Sequence, residues 1–221
     1  MINPVTRILI VLNGAVFVWL WLTGGWDSSS SLIAHGAISP AYVLERGQWW
    51  RIVSGAFLHD GFLHIGVNMF SLWQLGTVVE VLIGSSRMLQ VYVLSMVGSG
   101  LAIVLLGPEV PTIGASGAIL GLFGALISVG LRLGPPGRKM AMSMVPILVL
   151  NLVITFAIPN IAIWAHLGGF ATGFLVGFGM RVTPRGRALL AGPTPPIYVV
   201  PQEPINVTPQ EPPAALDEYA P

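Results

Sequence analysis

Six long apolar runs punctuate residues 1–183, and they leave the chain few ways to fold: Ile8–Leu22, Leu63–Ile83, Met88–Leu106, Ser116–Leu131, Met140–Ile158 and Ile161–Met180. A helix needs about 20 residues to cross a hydrocarbon core about 30 Å thick, with a working range of roughly 17–25. Most of the runs are near that length. The first can extend to Trp26, because membrane helices tolerate the intervening Thr and Gly residues. The fourth has 16 residues, or roughly 24 Å of helix, so one of its ends is expected below the membrane surface. Only 9% of the 221 residues are charged, against about 25% in soluble domains. So few charges cannot coat a water-soluble globule, and the same apolar content excludes disorder over most of the chain. Cysteine is absent, which rules out disulfides, thiolate metal sites and a cysteine nucleophile. The expected fold is an all-α, polytopic membrane protein with six transmembrane helices over residues 1–183.

Residues 184–221 read differently. They hold ten of the 18 prolines and four of the nine acidic residues, with only Arg185 and Arg187 as bases. This composition predicts a Pro-rich, solvated, disordered tail. Six spans put both termini on one side of the membrane. Arg7, Arg87, Arg132, Arg138, Lys139, Arg181, Arg185 and Arg187 fall on that side, and only Arg46 and Arg51 on the other. Basic residues concentrate on the cytoplasmic face, so both termini are expected there. No cleavable signal peptide is expected: Arg7 stands alone, and Gly24-Gly25-Trp26-Asp27 follows the first run. The loop from Thr23 to Phe62 then lies on the outer face. It is rich in Trp and Tyr, which favour the interface, and it is expected to be partly embedded in the outer leaflet.

Polar groups inside a membrane are costly and often functional. Counted from the cytoplasmic ends at about 1.5 Å per residue, Asn68 and Ser116 lie at roughly 24 Å, His166 at roughly 22 Å and His64 at roughly 30 Å. Three separate spans therefore bring Ser, His, His and Asn to similar depth, near the outer surface. Ser116 sits in Gly114-Ala115-Ser116-Gly117, where glycines permit close backbone approach. A helix start also offers unpaired N–H groups that can stabilise an oxyanion. The same residues have a structural reading: Ser116 as a helix N-cap, and Gly117 with Gly121 as a packing motif. His166, followed by Gly169 and Gly173, is either functional or an interhelical hydrogen bond. His64 and Asn68, four apart, share a helix face. No carboxylate run accompanies the two histidines at that depth, so no metal site is expected.

These residues resemble the rhomboid family of intramembrane serine proteases over about residues 4–181. The resemblance rests on Trp50-Arg51, His64-x-x-x-Asn68, Gly114-Ala115-Ser116-Gly117-Ala118 and Ala165-His166-x-x-Gly169-x-x-x-Gly173, in that order on the corresponding spans. It implies a six-helix bundle with a water-filled cavity open to the outer face. It also implies Ser116 and His166 as the catalytic pair, with an oxyanion hole made by the Ser116 N–H and the side chains of His64 and Asn68. Ser116 would attack the scissile carbonyl, and His166 would take its proton and pass it to the leaving amine. Gly114, Gly117, Gly169, Gly173, Arg51 and Glu80 would support the site. The chain departs from the family pattern at Leu120, where an aromatic ring usually stacks on the catalytic histidine.

No acid among Asp27, Glu45, Asp60 and Glu109 lies in a helix at the right depth, which favours a dyad over a triad; Asp60 is nearest His64 and stays in reserve. Glu80 reads as a structural partner of nearby backbone or loop groups, and His35 and His59 as solvated or structural. Asn151 either lines a substrate entry side or bonds another helix. The expected function is an intramembrane serine endopeptidase of the bacterial plasma membrane, without cofactor or nucleic-acid partner. Its substrates would be transmembrane proteins entering sideways from lipid. The alternative is a catalytically weak or inactive relative that binds membrane proteins. A transporter is disfavoured, because the polar residues gather in the outer half of the spans.

Overall fold

The computed structural model describes residues 3–26, 28–157 and 163–191. Helix α1 (Pro4–Leu22) opens on a proline, whose fixed φ suits the first helical position and whose missing N–H is no loss there. The next N–H groups would be orphaned in an apolar setting. Instead Val5 and Thr6 donate their backbone N–H to the Glu80 carboxylate at 3.0 and 2.9 Å, and the hydroxyls of Thr6 and Ser85 donate to it at 2.8 and 2.7 Å. Glu80, only 3% exposed, thus locks the start of α1 to the end of α5 (Phe62–Ile83). Gly84, at φ +90°, adopts a conformation that residues with a Cβ rarely take. It lets α6 (Ser85–Leu106) begin one residue after α5 has ended.

The centre of the molecule is α7 (Ser116–Arg132), buried on every side from Gly117 to Leu126. A helix apolar all round belongs in a core. Its side chains Ile119, Leu122, Phe123 and Leu126 join Leu72, Leu75, Met88 and Tyr92 in one apolar cluster. Helix α10 (Ile163–Phe178) packs backbone to backbone on α7. A Cβ on Gly169 would collide with the carbonyl oxygen of Gly117, and one on Gly173 with that of Gly121. Matching small residues four apart on both helices permit this approach. The end of α10 is closed by Arg132, which donates from Nη2 to the carbonyls of Gly177 and Met180 at 3.0 and 2.6 Å.

The outer loop is more regular than its sequence implies. It contains α2 (Ser29–Ala34), α3 (Pro40–Leu44), α4 (Arg51–Ser54) and a short 3-10 turn over Gly55–Phe57. Buried Arg51 ties it together, donating to Gln48 Oε1 at 2.7 Å and to the carbonyls of Ile33 and Ala37 at 2.7 and 3.0 Å. Ile38 and Thr112 exchange backbone hydrogen bonds of 2.9 and 2.8 Å, which fastens the loop to the strand of chain entering α7.

Two expectations of span boundaries change. The fifth run divides into α8 (Gly134–Ser143) and α9 (Val145–Ala157), so the basic residues Arg138 and Lys139 lie in a helix rather than a loop. Pro146 supplies the reason, since a proline there would clash with the carbonyl of a continuing helix and offers it no N–H. The expected disordered stretch from residue 184 begins instead with α11 (Pro184–Ala191). Thr183 Oγ1 accepts from the Gly186 N–H at 2.9 Å, and the Thr183 N–H and hydroxyl donate to the carbonyls of Leu82 and Val81 at 2.8 and 2.7 Å. That capping residue docks α11 on the end of α5. Residues 192–221 of the expected tail and the first residues of the sixth run lie outside the described residues, as does Asp27. Helices α1, α5 and α6 are long and apolar enough to cross a membrane, while α7 and α10 are apolar but shorter, at 17 and 16 residues.

Candidate active site

Ser116 is the first residue of α7, and His166 lies in the first turn of α10. The backbone contact of Gly169 with Gly117 sits one turn from His166 and one residue from Ser116, so the helix packing itself sets their separation. Ser116 Oγ and His166 Nε2 are 2.7 Å apart, within hydrogen-bond range. His166 is buried and Ser116 half-buried. The N-cap alternative for Ser116 does not hold: Ala115 occupies that position, without a side-chain cap. The serine hydroxyl meets the imidazole instead.

The second pair arrives from α5. Gly114 takes φ +111° and donates its N–H to the Gly55 carbonyl at 2.9 Å. A Cβ there would stand 2.7 Å from His64 Nε2, so the imidazole lies directly over the Gly114 backbone, two residues before Ser116. His64 Nδ1 meets Asp60 Oδ1 at 2.7 Å. Asn68, one turn further along α5, is 3% exposed and donates from Nδ2 to the His64 carbonyl at 2.9 Å. One of its two amide N–H groups is thereby engaged, and its Oδ1 is buried with no hydrogen-bond partner among the described residues. Ser116, His166 and His64 therefore converge on the turn that opens α7, with Asn68 behind His64.

The supporting residues divide by location. Gly114, Gly117, Gly169 and Gly173 bring the elements of the site together. Arg51 acts on the outer loop, and Glu80 lies at the far end of α5, away from the serine. Asn151 donates to Ser71 Oγ at 2.6 Å and to the Ile147 carbonyl at 2.9 Å, so it bonds α9 to α5. His59 differs from the solvated option in its sequence reading. It is 0% exposed and its ring packs edge-on against His64, centroid to centroid 4.9 Å. Burial, with His64 nearby, pushes its pKa down to about 3, so it is neutral at ordinary pH. The hydrogen bond from His64 holds the Asp60 carboxyl below the usual carboxylate range. Nothing in the spacing of His59 marks it as buried, because it precedes the first helical residue of α5. Among the described residues no group of three or more His, Cys, Asp or Glu side chains is placed to hold a metal ion.

A hydroxyl in contact with an imidazole is the arrangement that nucleophilic catalysis uses, and unpaired N–H groups at a helix start can stabilise developing negative charge. The chain also has relatives among known proteins. The chain is 33% identical over 186 residues to "Rhomboid protease GluP" of Bacillus subtilis, covering 82% of this chain and 36% of that protein. It is 36% identical over 148 residues to "RHOMBOID-like protein 5" of Arabidopsis thaliana, covering 65% and 48%. It thus spans about a third to a half of the length of these two relatives. "Putative rhomboid protease YdcA" of Bacillus subtilis is 29% identical over 178 residues and is matched over 87% of its length. The model of the Rhomboid domain matches residues 46–182, which include α4 to α10 and every residue of the Ser116–His166 cluster, and this multi-pass membrane chain therefore belongs to the rhomboid family.

Proposed function

We propose that the chain is an intramembrane serine endopeptidase that cleaves peptide bonds in or near the transmembrane segments of membrane proteins. The observation that carries this reading is the 2.7 Å separation of Ser116 Oγ and His166 Nε2. In the proposed mechanism His166 takes the serine proton as Oγ attacks the scissile carbonyl, then returns it to the leaving amine. The Ser116 N–H, His64 Nε2 and the Asn68 amide donate to the oxyanion of the tetrahedral intermediate. Water then hydrolyses the acyl-enzyme by the same proton path in reverse.

The setting follows from the same reading. In this reading the chain crosses a bacterial plasma membrane six times, with both termini in the cytoplasm and the serine near the outer face. Substrates enter sideways from lipid, and no cofactor is required. Helices α7 and α10, shorter than the bilayer is thick, accord with a site that starts below the surface. The test is cleavage of a reporter transmembrane protein in reconstituted liposomes. Ser116→Ala should abolish cleavage while the protein stays folded, and His166→Ala should do the same. Undiminished cleavage by Ser116→Ala would refute the serine-protease reading. A folded wild type that binds reporters without cutting them would favour a non-catalytic binding protein.

A further inference from the structure

The Ser116–His166 pair leaves a second set of titratable groups beside it unexplained. Asp60, His59 and His64 cluster at the start of α5, and the reading of His64 as an oxyanion donor assigns no task to the other two. We propose that Asp60 is a positioning residue for His64, holding a proton on Nδ1 and keeping Nε2 over the Gly114 backbone. The inference rests on the oxyanion role proposed above for His64.

The geometry specifies the tautomer. Asp60 Oδ1 lies 2.7 Å from His64 Nδ1, the length of a charge-assisted hydrogen bond. An ionised carboxylate only accepts, so the proton is on Nδ1. Spacing of four residues allows the contact, since Asp60 sits just before α5 and His64 in its first turn. From the other side the His59 ring packs on His64 at an interplanar angle of 67°. His59 Nδ1 is turned to the Phe57 carbonyl at 3.2 Å, and its Nε2 is buried with no partner among the described residues. The imidazole of His64 therefore contacts both a carboxylate and a neutral, buried ring, with Nε2 facing Gly114.

The consequence is chemical. With the proton on Nδ1, a neutral His64 presents a lone pair at Nε2, which repels an oxyanion. Only a ring carrying both protons donates from Nε2, and the Asp60 carboxylate is the counter-charge that accompanies such a ring. Without Asp60 no carboxylate holds a proton at Nδ1, and a ring with its proton on Nε2 alone is an uncharged donor. Hydrogen bonds from charged donors exceed those from neutral ones by enough to change a rate about tenfold. Because the gain appears as the oxyanion forms, it belongs to kcat rather than KM.

The experiment compares the full-length wild type with Asp60→Ala and Asp60→Asn, reconstituted in liposomes with a reporter transmembrane substrate. Asp60→Asn keeps shape and an acceptor oxygen but removes the charge, so it serves if Asp60→Ala does not fold. The expected result is an about tenfold lower kcat for either variant, with KM within about twofold. In 15N NMR of the histidine-labelled protein, wild-type His64 should show protonated Nδ1, and Asp60→Ala should lose the hydrogen-bonded Nδ1 proton. Wild-type kcat in both variants, an effect confined to KM, or an unchanged His64 spectrum in Asp60→Ala would each overturn the proposal. If wild type cleaves and Ser116→Ala does not, such a result removes only the role of Asp60. If wild type itself does not cleave, both readings fall.

Discussion

One methyl group at Gly169 tests whether the packing of α10 on α7 is what holds the serine and histidine together. In Gly169→Ala the new Cβ would collide with the Gly117 carbonyl oxygen and stand 2.6 Å from its carbon and 3.1 Å from its Cα. All three are backbone atoms, so no side chain can turn aside. Carbon atoms rest at about 3.5–4.0 Å, so the helices must part by about 1 Å at this point. Ser116 adjoins Gly117, and His166 is one turn from Gly169. Their 2.7 Å contact would open to about 3.6 Å, beyond hydrogen-bond range. A misplacement of that size lowers catalysis about 100-fold, and the overpacking costs about 1–3 kcal/mol. The assay is the rate of reporter cleavage in liposomes, with thermal unfolding in detergent measured alongside. Gly14→Ala on α1 is the control, because a Cβ there meets nothing within 4 Å; it should leave the cleavage rate unchanged and raise stability by no more than about 1 kcal/mol. Wild-type rate and stability in Gly169→Ala would refute the argument that this contact sets the geometry of the pair.

Two further outcomes follow from buried polar groups. Glu80→Ala removes the acceptor of four hydrogen bonds at the start of α1 and should cost about 3 kcal/mol in denaturant unfolding; a loss under about 0.5 kcal/mol would contradict it. His59, buried and pushed down to about 3, is neutral when folded at pH 5, whereas in the unfolded chain it binds a proton below about 6.5. The unfolded state thus holds more protons between those values, so stability falls as pH falls. The contribution between pH 7 and pH 5 is about 2 kcal/mol, and His59→Asn should remove about that much of the measured change.

Some of this architecture was legible because apolar residues dominate the chain. With 9% charged residues, each polar side chain within an apolar run stands out, and helical rise alone put Ser116, His166, His64 and Asn68 at similar depth. The glycines at 117, 121, 169 and 173 were equally visible, because their spacing of four matches a helix face. The break at Met144 was signalled by Pro146 but concealed by the continuous apolarity around it. The helix at Pro184–Ala191 was hidden because Pro, Gly and Arg there resemble the tail beyond. It forms through tertiary bonds from Thr183 to the end of α5, which composition does not encode. The burial of His59 likewise depends on how the outer loop folds back, around Arg51 and the Ile38–Thr112 bridge, whereas the bond of Asp60 to His64 is local, at a spacing of four.

Ser116 acts, in the proposed chemistry, as a nucleophile activated by His166. Covalent labelling with a serine-reactive fluorophosphonate, followed by mapping of the modified peptide, tests it directly. The label is expected on Ser116 in the wild type, with none in Ser116→Ala and at least about 100-fold slower labelling in His166→Ala. A label outside residues 114–117, or undiminished labelling of Ser116→Ala, would contradict it.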